Sequence, residues 1–333
     1  MNRNLDKILV CPRCSAQAFR VEEYEASDSQ VHEGRLICTA CGTWFRIEHG
    51  VADLLPTHLR REDLYRQFAE RHGIRETAVG DAPREEFKAS QIQFFKSHVE
   101  SYEEDVVNQP LYIAFGEVRF LRWIGDHLSS GDSVLDLGCG TGQPCLDLAR
   151  KGIRVVGVDI AEEMLALGQK KAAAEHLDGL IDFIAADAEA PPVAPGSFRA
   201  SLFLGALHHL PDPAKAIVGA ARSVAPGGWV YSQDPHDSAL RFLFDWLMKV
   251  KKLYDEEARD EPLLSERQLR DWMTAAGLDA RTRLSIYLPP HLFAVLSVPA
   301  AARLLKVSDA FFGAIPGVRR WAGYVIAEGT KRG

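Results

Sequence analysis

Hydrophobic and polar positions alternate in three different ways along the 333-residue chain. Residues 1–56 hold short β-like runs around two cysteine pairs and end in GVADLLP, where Pro56 closes the segment. Residues 57–110 are polar and charged with a helical pattern, broken by the turn signals Gly80-Asp81-Ala82-Pro83, and predict a linker followed by helices. From 111 to the end at 333, apolar strands alternate with helices. A helix spans about 111–128, then come the strand SVLDLG, a helix at 143–151 stopped at Gly152, the strand IRVVGVDI, a helix at 161–177 and the strand IDFIAAD. The strand ASLFLGAL, a helix at about 212–224, the turn Pro226-Gly227-Gly228 and the strand WVYSQD follow. This order predicts an α/β fold with a doubly wound, mostly parallel sheet covered on both faces.

After Asp234 the rhythm breaks. A helix rich in Phe, Leu and Trp (SALRFLFDWLMKVKKLY) precedes a helix capped by Ser265, a strand LDARTRLSIYL, an apolar helical stretch at 291–316 and a last strand RWAGYVIAEGTK. The two late strands are expected to pair antiparallel at the sheet edge, and segments at about 236–262 and 289–318 stand as insertions in the large domain.

Composition narrows this picture. At 47% hydrophobic and 26% charged residues the chain is globular rather than disordered. A formal net charge of −7 gives no dense cationic surface for a phosphate backbone, which disfavours nucleic acid as a partner except through a local patch. The N-terminus lacks the charged start and apolar core of a secretory signal, and no run approaches the ~20 apolar residues of a membrane span. The expected address is cytoplasmic.

Four of the six cysteines form Cys11-Pro-Arg-Cys14 and Cys38-Thr-Ala-Cys41, separated by 23 residues. In a reducing compartment this spacing points to a metal rather than disulfides, since two such turns offer four thiolates in a closed, structural tetrahedron. A redox pair or unused thiols is the alternative. So short a segment buries little surface, and bound Zn2+ would supply much of its folding free energy.

The clearest chemistry lies in VLDLGCGTG at 134–142, a strand that opens through Gly138, Gly140 and Gly142 into a helix. Such a bend leaves backbone N–H groups bare for a ligand at a helix start. A dinucleotide fingerprint would place its third glycine at position 143, which is Gln143, and Asp136 just before the loop repels a pyrophosphate but suits an ammonium group. Asp159, at the tip of the next strand, is placed to accept ribose hydroxyls, a feature shared by both ligand classes.

The segment at 98–235 resembles the class I methyltransferases of the ubiquinone-biosynthesis-like group, whose cofactor is S-adenosyl-L-methionine. The match runs through Asp136, Gly138, Gly140, Gly142, Asp159, the AAD at 185–187, LGALHHLPD at 204–212 and APGG at 225–228. It implies a Rossmann-like sheet and donor contacts from Asp187 and the Ala188 backbone, with Cys139, Ile160 and Leu204 beside the anchors. The FDxV before the fourth core strand is replaced by Phe198-Arg199-Ala200-Ser201. The cysteine segment resembles zinc ribbons of two kinds, the small activator subunit of tRNA methyltransferases and the ribbon ahead of some ribosomal RNA guanine methyltransferases.

Methyl transfer needs an aligned acceptor and, for some acceptors, a base. His208 and His209 follow the fourth core strand and are candidates for that base, with structural packing as the alternative. Tyr102 matches the tyrosine that closes over the methionine portion in related enzymes; Asp234 and His236 are further pocket candidates. The apolar insertions predict a lid over a small hydrophobic acceptor, with a homodimer contact or plain core as the other reading and membrane association through Arg303, Lys306, Arg319 and Arg320 as a third. Two further functions remain open: RNA base methylation with the ribbon as docking module, and a non-catalytic interaction protein built on the same scaffold.

Overall fold

The computed structural model describes residues 1–75, 85–103, 107–240, 246–247 and 263–333. Its first strands, β1 (Phe19–Ala26), β2 (Val31–Cys38), β3 (Trp44–Glu48) and β4 (Val51–Asp53), form an antiparallel meander. Gly34, Leu36 and Cys38 face inward at every second position of β2, as a half-buried strand requires. The stretch after Pro56, expected to begin a linker, instead folds back as α1 (Glu62–His72), laying Tyr65 and Phe68 on Trp44 with ring centroids 5.1 and 6.2 Å apart. The break at 80–83 lies outside the described residues. Beyond it stand α2 (Glu86–Ser97) and the short α3 (Val99–Tyr102).

The helix expected at 111–128 is a continuous run made of α4 (Pro110–Phe115), a π-helical turn at Gly116–Phe120 and α5 (Leu121–His127). Then β5 (Ser133–Leu137), α6 (Gln143–Ala149), β6 (Arg154–Asp159), α7 (Glu162–Ala174), β7 (Ile181–Ala185), β8 (Phe198–Leu204), α8 (Pro213–Ser223) and β9 (Val224–Pro235) follow as the pattern predicts. The Pro226-Gly227-Gly228 turn is drawn into the start of β9, whose register against β8 shifts there. The apolar helix expected after Asp234 lies almost wholly outside the described residues. The chain resumes with α9 (Glu266–Ala275), whose Ser265 and Gln268 form a reciprocal cap, and with β10 (Leu278–Ser285). The apolar stretch 291–316 is a short 3-10 turn and α10 (Val298–Gly313), and β11 (Tyr324–Lys331) ends the fold.

All strands join one sheet in the order β1-β2-β3-β4-β7-β6-β5-β8-β9-β11-β10. Its centre, β4 through β9, is parallel, and β11 and β10 add antiparallel strands at one edge as expected. The order reverses on either side of β5, so a crevice opens at its carboxyl end, the usual ligand position in such sheets. The cysteine segment does not stand apart: β4 pairs in parallel with β7, Ala52 opposite Ile184, and Leu9, Phe45 and Leu54 share one core with Ile184 and Val193. Docking onto the large sheet therefore adds the buried surface that the segment lacks by itself.

Candidate functional site

Each glycine of the loop after β5 has its own reason. Gly138 and Gly142 have φ of +75° and +74°, and a Cβ on either would strike Ala206 at 2.5 Å or Phe183 at 2.7 Å. Gly140, at φ +54°, faces more open space, with the Tyr102 ring 3.8 Å from where its Cβ would stand. The loop is held by Asp159: one carboxylate oxygen accepts the Gly140 N–H at 2.9 Å and the other accepts the Ala161 N–H at 2.9 Å. Burial pushes the Asp159 carboxyl above its ordinary range, and these backbone donors pull it back. Half-buried Ile160 follows it.

Asp136 lies at the floor of the crevice and is fully buried. Its Oδ2 accepts a hydrogen bond from the Cys145 thiol at 3.3 Å, whereas its Oδ1 is buried with no partner among the described residues. Burial pushes the carboxyl up to about 7, reinforced by the nearby Asp159 charge. A buried, unpaired carboxylate oxygen beside an open backbone loop fits the ammonium of an amino-acid group, which would restore the ionised form. The crevice is lined by Asp136, Gly138 and Cys139 together with Tyr102, Val107, Tyr112 and Leu204.

The AAD segment ends β7. Asp187 Oδ1 accepts the Glu189 N–H at 3.0 Å, while Oδ2 lies 2.9 Å from Lys88 Nζ; Ala188 is buried behind it. Lys88, from α2, is itself buried and also pairs with Glu189 at 2.9 Å. No sequence pattern marked it, because the pairing joins positions 99 residues apart. Glu103, at the end of α3, was missed for the same reason: it accepts from the Thr141 hydroxyl and from Lys171 Nζ at 3.0 Å, fastening the entry helices over the loop.

At the ends of β8 and β9, His208 and Asp234 are both buried, with Nδ1 3.0 Å from Oδ1. Where the Asp234 carboxylate accepts, the His208 Nδ1–H is the donor of this bond. Asp234 Oδ2 is buried without a partner among the described residues. The His209 ring lies against His208, tilted by 38° with centroids 3.9 Å apart, and meets Phe95 edge-on at 5.4 Å, and Phe95 also meets Tyr102 edge-on. His236 is turned away, its Nδ1 bonded to the Ala322 carbonyl at 3.0 Å.

The four cysteines of the first segment converge. Their sulfurs lie within 4.8 Å of one another, with Cys11 and Cys41 3.8 Å apart and Cys14 and Cys38 3.6 Å apart, and none is in a disulfide. The edge of a tetrahedron with Zn–S bonds of about 2.3 Å is about 3.8 Å, so the donor set fits one ion.

Comparison with known proteins identifies two family segments. The family described as "Methyltransferase domain" matches residues 135–232, and the family described as "Trm112p-like protein" matches residues 3–50. The ubiquinone biosynthesis O-methyltransferase of Stutzerimonas stutzeri is 30% identical over 181 residues, covering 52% of this chain and 77% of that protein. The enzyme of the same description from Albidiferax ferrireducens is 39% identical over 114 residues, 33% of this chain and 44% of that protein. The chain spans about half the length of most of the curated relatives it matches. Among solved structures, a Haemonchus contortus phosphoethanolamine N-methyltransferase superposes with a TM-score of 0.51 at 17% identity, covering 77% of this chain and 61% of that one. A complex between the Haloferax volcanii Trm112 methyltransferase activator and a methyltransferase superposes with a TM-score of 0.50 at 19% identity, covering 73% of this chain and 97% of that one. These two likenesses concern the fold. With its loop, its strand order and a relative matched over most of its length, the chain belongs to the class I S-adenosylmethionine-dependent methyltransferases and carries a zinc-ribbon-like segment at its N-terminal end.

Proposed function

We propose that the chain methylates an oxygen atom of a small, mainly apolar acceptor. The observation that carries this reading is the buried His208–Asp234 pair at the carboxyl ends of β8 and β9, the side of the sheet on which the crevice opens. A hydroxyl must lose its proton as it is methylated, and a histidine oriented by a carboxylate is suited to remove it near neutral pH. Relatives bearing the descriptions ubiquinone biosynthesis O-methyltransferase and, in Amycolatopsis mediterranei, 27-O-demethylrifamycin SV methyltransferase support an oxygen acceptor. The apolar side chains Val107 and Leu204 in the crevice support a hydrophobic one.

In this reading S-adenosylmethionine supplies an electrophilic methyl group on a sulfonium, which leaves as a neutral thioether. Asp136 holds the ammonium, the Gly138–Gly142 backbone faces the carboxylate, Asp159 accepts the ribose hydroxyls, and Asp187 with the Ala188 backbone borders the adenine; Cys139, Ile160 and Leu204 complete the walls. Tyr102 and Phe95 close the entry side and exclude water. His208 takes the acceptor proton at Nε2, and Asp234 stabilises the resulting imidazolium. Cys11, Cys14, Cys38 and Cys41 hold one structural Zn2+.

A second reading, RNA base methylation, draws on the Trm112p-like match at residues 3–50. The test is transfer of labelled methyl from S-adenosylmethionine to hydroxylated aromatic or lipid-like acceptors and, separately, to RNA. Label in the small acceptors that is lost in His208→Asn supports the proposal; label in RNA alone overturns it.

A further inference from the structure

Nine large apolar side chains of the described chain are exposed, and five of them, Leu292, Val295, Val307, Phe311 and Trp321, fall within thirty residues. Their arrangement follows from α10. It buries Ala301, Ala302, Leu305 and Ser308 on its inner face, so Arg303, Lys306, Val307, Ala310 and Phe311 line up along the outer one. Val307 and Phe311 are 67% and 62% exposed, values a soluble surface gives such residues singly rather than as a stripe. The helix has one acid, Asp309, and it points inward, pairing with Arg119 and accepting the Ile286 N–H at 3.0 Å. The outer stripe therefore carries cations only. The 3-10 turn Val318–Trp321, packed against α10, adds exposed Arg319, Arg320 and Trp321, with Arg319 shared with Glu266 at 2.7 Å. In a chain of formal net charge −7, residues 290–321 hold four Lys and Arg against one Asp.

The strand register fixes where this face lies. Ser285 pairs with Tyr324, and Tyr324 with Pro235, so the end of β10 that leads toward α10 sits at the carboxyl end of β9, the side of the sheet that holds His208 and Asp234.

We propose that this face docks on an anionic lipid surface. Val307, Phe311 and Trp321 enter the boundary between headgroups and acyl chains, while Arg303, Lys306 and Arg320 meet the lipid phosphates. A second copy of the chain fits less well, because a two-fold contact along the stripe would bring two cationic faces together with no acid on either to pair them. The docking itself does not depend on the identity of the acceptor.

The test is co-sedimentation of the full, zinc-loaded chain with phosphatidylcholine vesicles, with and without phosphatidylglycerol. The expected result is binding to the anionic vesicles at least about tenfold stronger than to the neutral ones, weakening as salt rises. The double variants Phe311→Ser/Trp321→Ser and Arg303→Glu/Lys306→Glu should each lose most of that binding, with donor affinity and melting temperature unchanged. Equal partition into both vesicle types, or undiminished binding by either double variant, overturns the proposal. So does a concentration-dependent dimer in light scattering that Phe311→Ser dissolves, since the face would then belong to a second copy.

Discussion

The Gly140 N–H donates to the Asp159 carboxylate at 2.9 Å, so the loop that ends one strand is held in shape by the acid that ends its neighbour. The same carboxylate accepts the Ala161 N–H ahead of α7. Shape of the loop and position of the proposed ribose acceptor are thus one variable, and Asp159→Ala should remove donor binding while the sheet stays folded. Isothermal titration beside a circular dichroism melt separates the two effects.

Asp136 sets stability against binding. Burial raises its carboxyl to about 7, while an unfolded aspartate titrates near ~3.9. Folding therefore favours the protonated form between these values: the ionised group subtracts stability as pH rises through the window, and the full loss stands above about 7. Asp136→Asn removes that loss, so without donor the variant should be the more stable form near pH ~8 by on the order of 2–4 kcal/mol, the gap closing toward pH ~4. Donor affinity should move the opposite way, rising with pH in the wild type until about 7 and falling at least about a hundredfold in the variant. A variant that melts below the wild type at high pH would contradict this.

Lys88 is the only cation bonded to Asp187 among the described residues, and it serves Glu189 as well. Replacing it with Met leaves buried Asp187 without its counter-charge and Glu189 with only Lys215, 3.5 Å away, a change expected to cost about 3–5 kcal/mol in urea unfolding. Lys88→Arg should recover part of the loss. Equal unfolding midpoints for Lys88→Met and wild type would show that α2 does not seal this end of the site.

For the proposed base, His208→Asn and Asp234→Asn should lower kcat by ~10²–10⁴-fold on a hydroxyl acceptor, with the affinity for S-adenosylhomocysteine kept. A drop in donor affinity instead of kcat would assign the pair to packing.

Elemental analysis should find one zinc per chain. Because the ribbon core is continuous with the core under β7, Cys38→Ser or chelation should lower the melting temperature of the whole molecule by at least about 5 °C rather than release a separate transition.

The sequence carried most of the parallel sheet and the crevice, since Gly138, Gly142 and Asp136 announce themselves by local spacing and by strand pattern. The cysteine spacing likewise foretold a four-sulfur cluster. Other features are relations between distant positions. Arg46 pairs with Asp53 at 3.3 Å and with Glu162 on α7, and β4 joins β7, yet nothing within residues 1–56 indicates an edge that the large sheet will take up. Phe95 meeting His209, and Lys88 meeting Asp187, belong to the same class. The α10 stripe was readable as an apolar helix, but only the fold shows that Asp309 faces inward and leaves the outer side cationic.

The central claim is that the β5 loop holds an adenosyl amino acid between Asp136 and Asp159. Titrating S-adenosylhomocysteine into the zinc-loaded chain tests it most directly. One site per chain, lost in Asp136→Ala and in Asp159→Ala but kept in Cys38→Ser that remains folded, is the predicted result. Absence of heat in the wild type, or equal affinity in all variants, would contradict it.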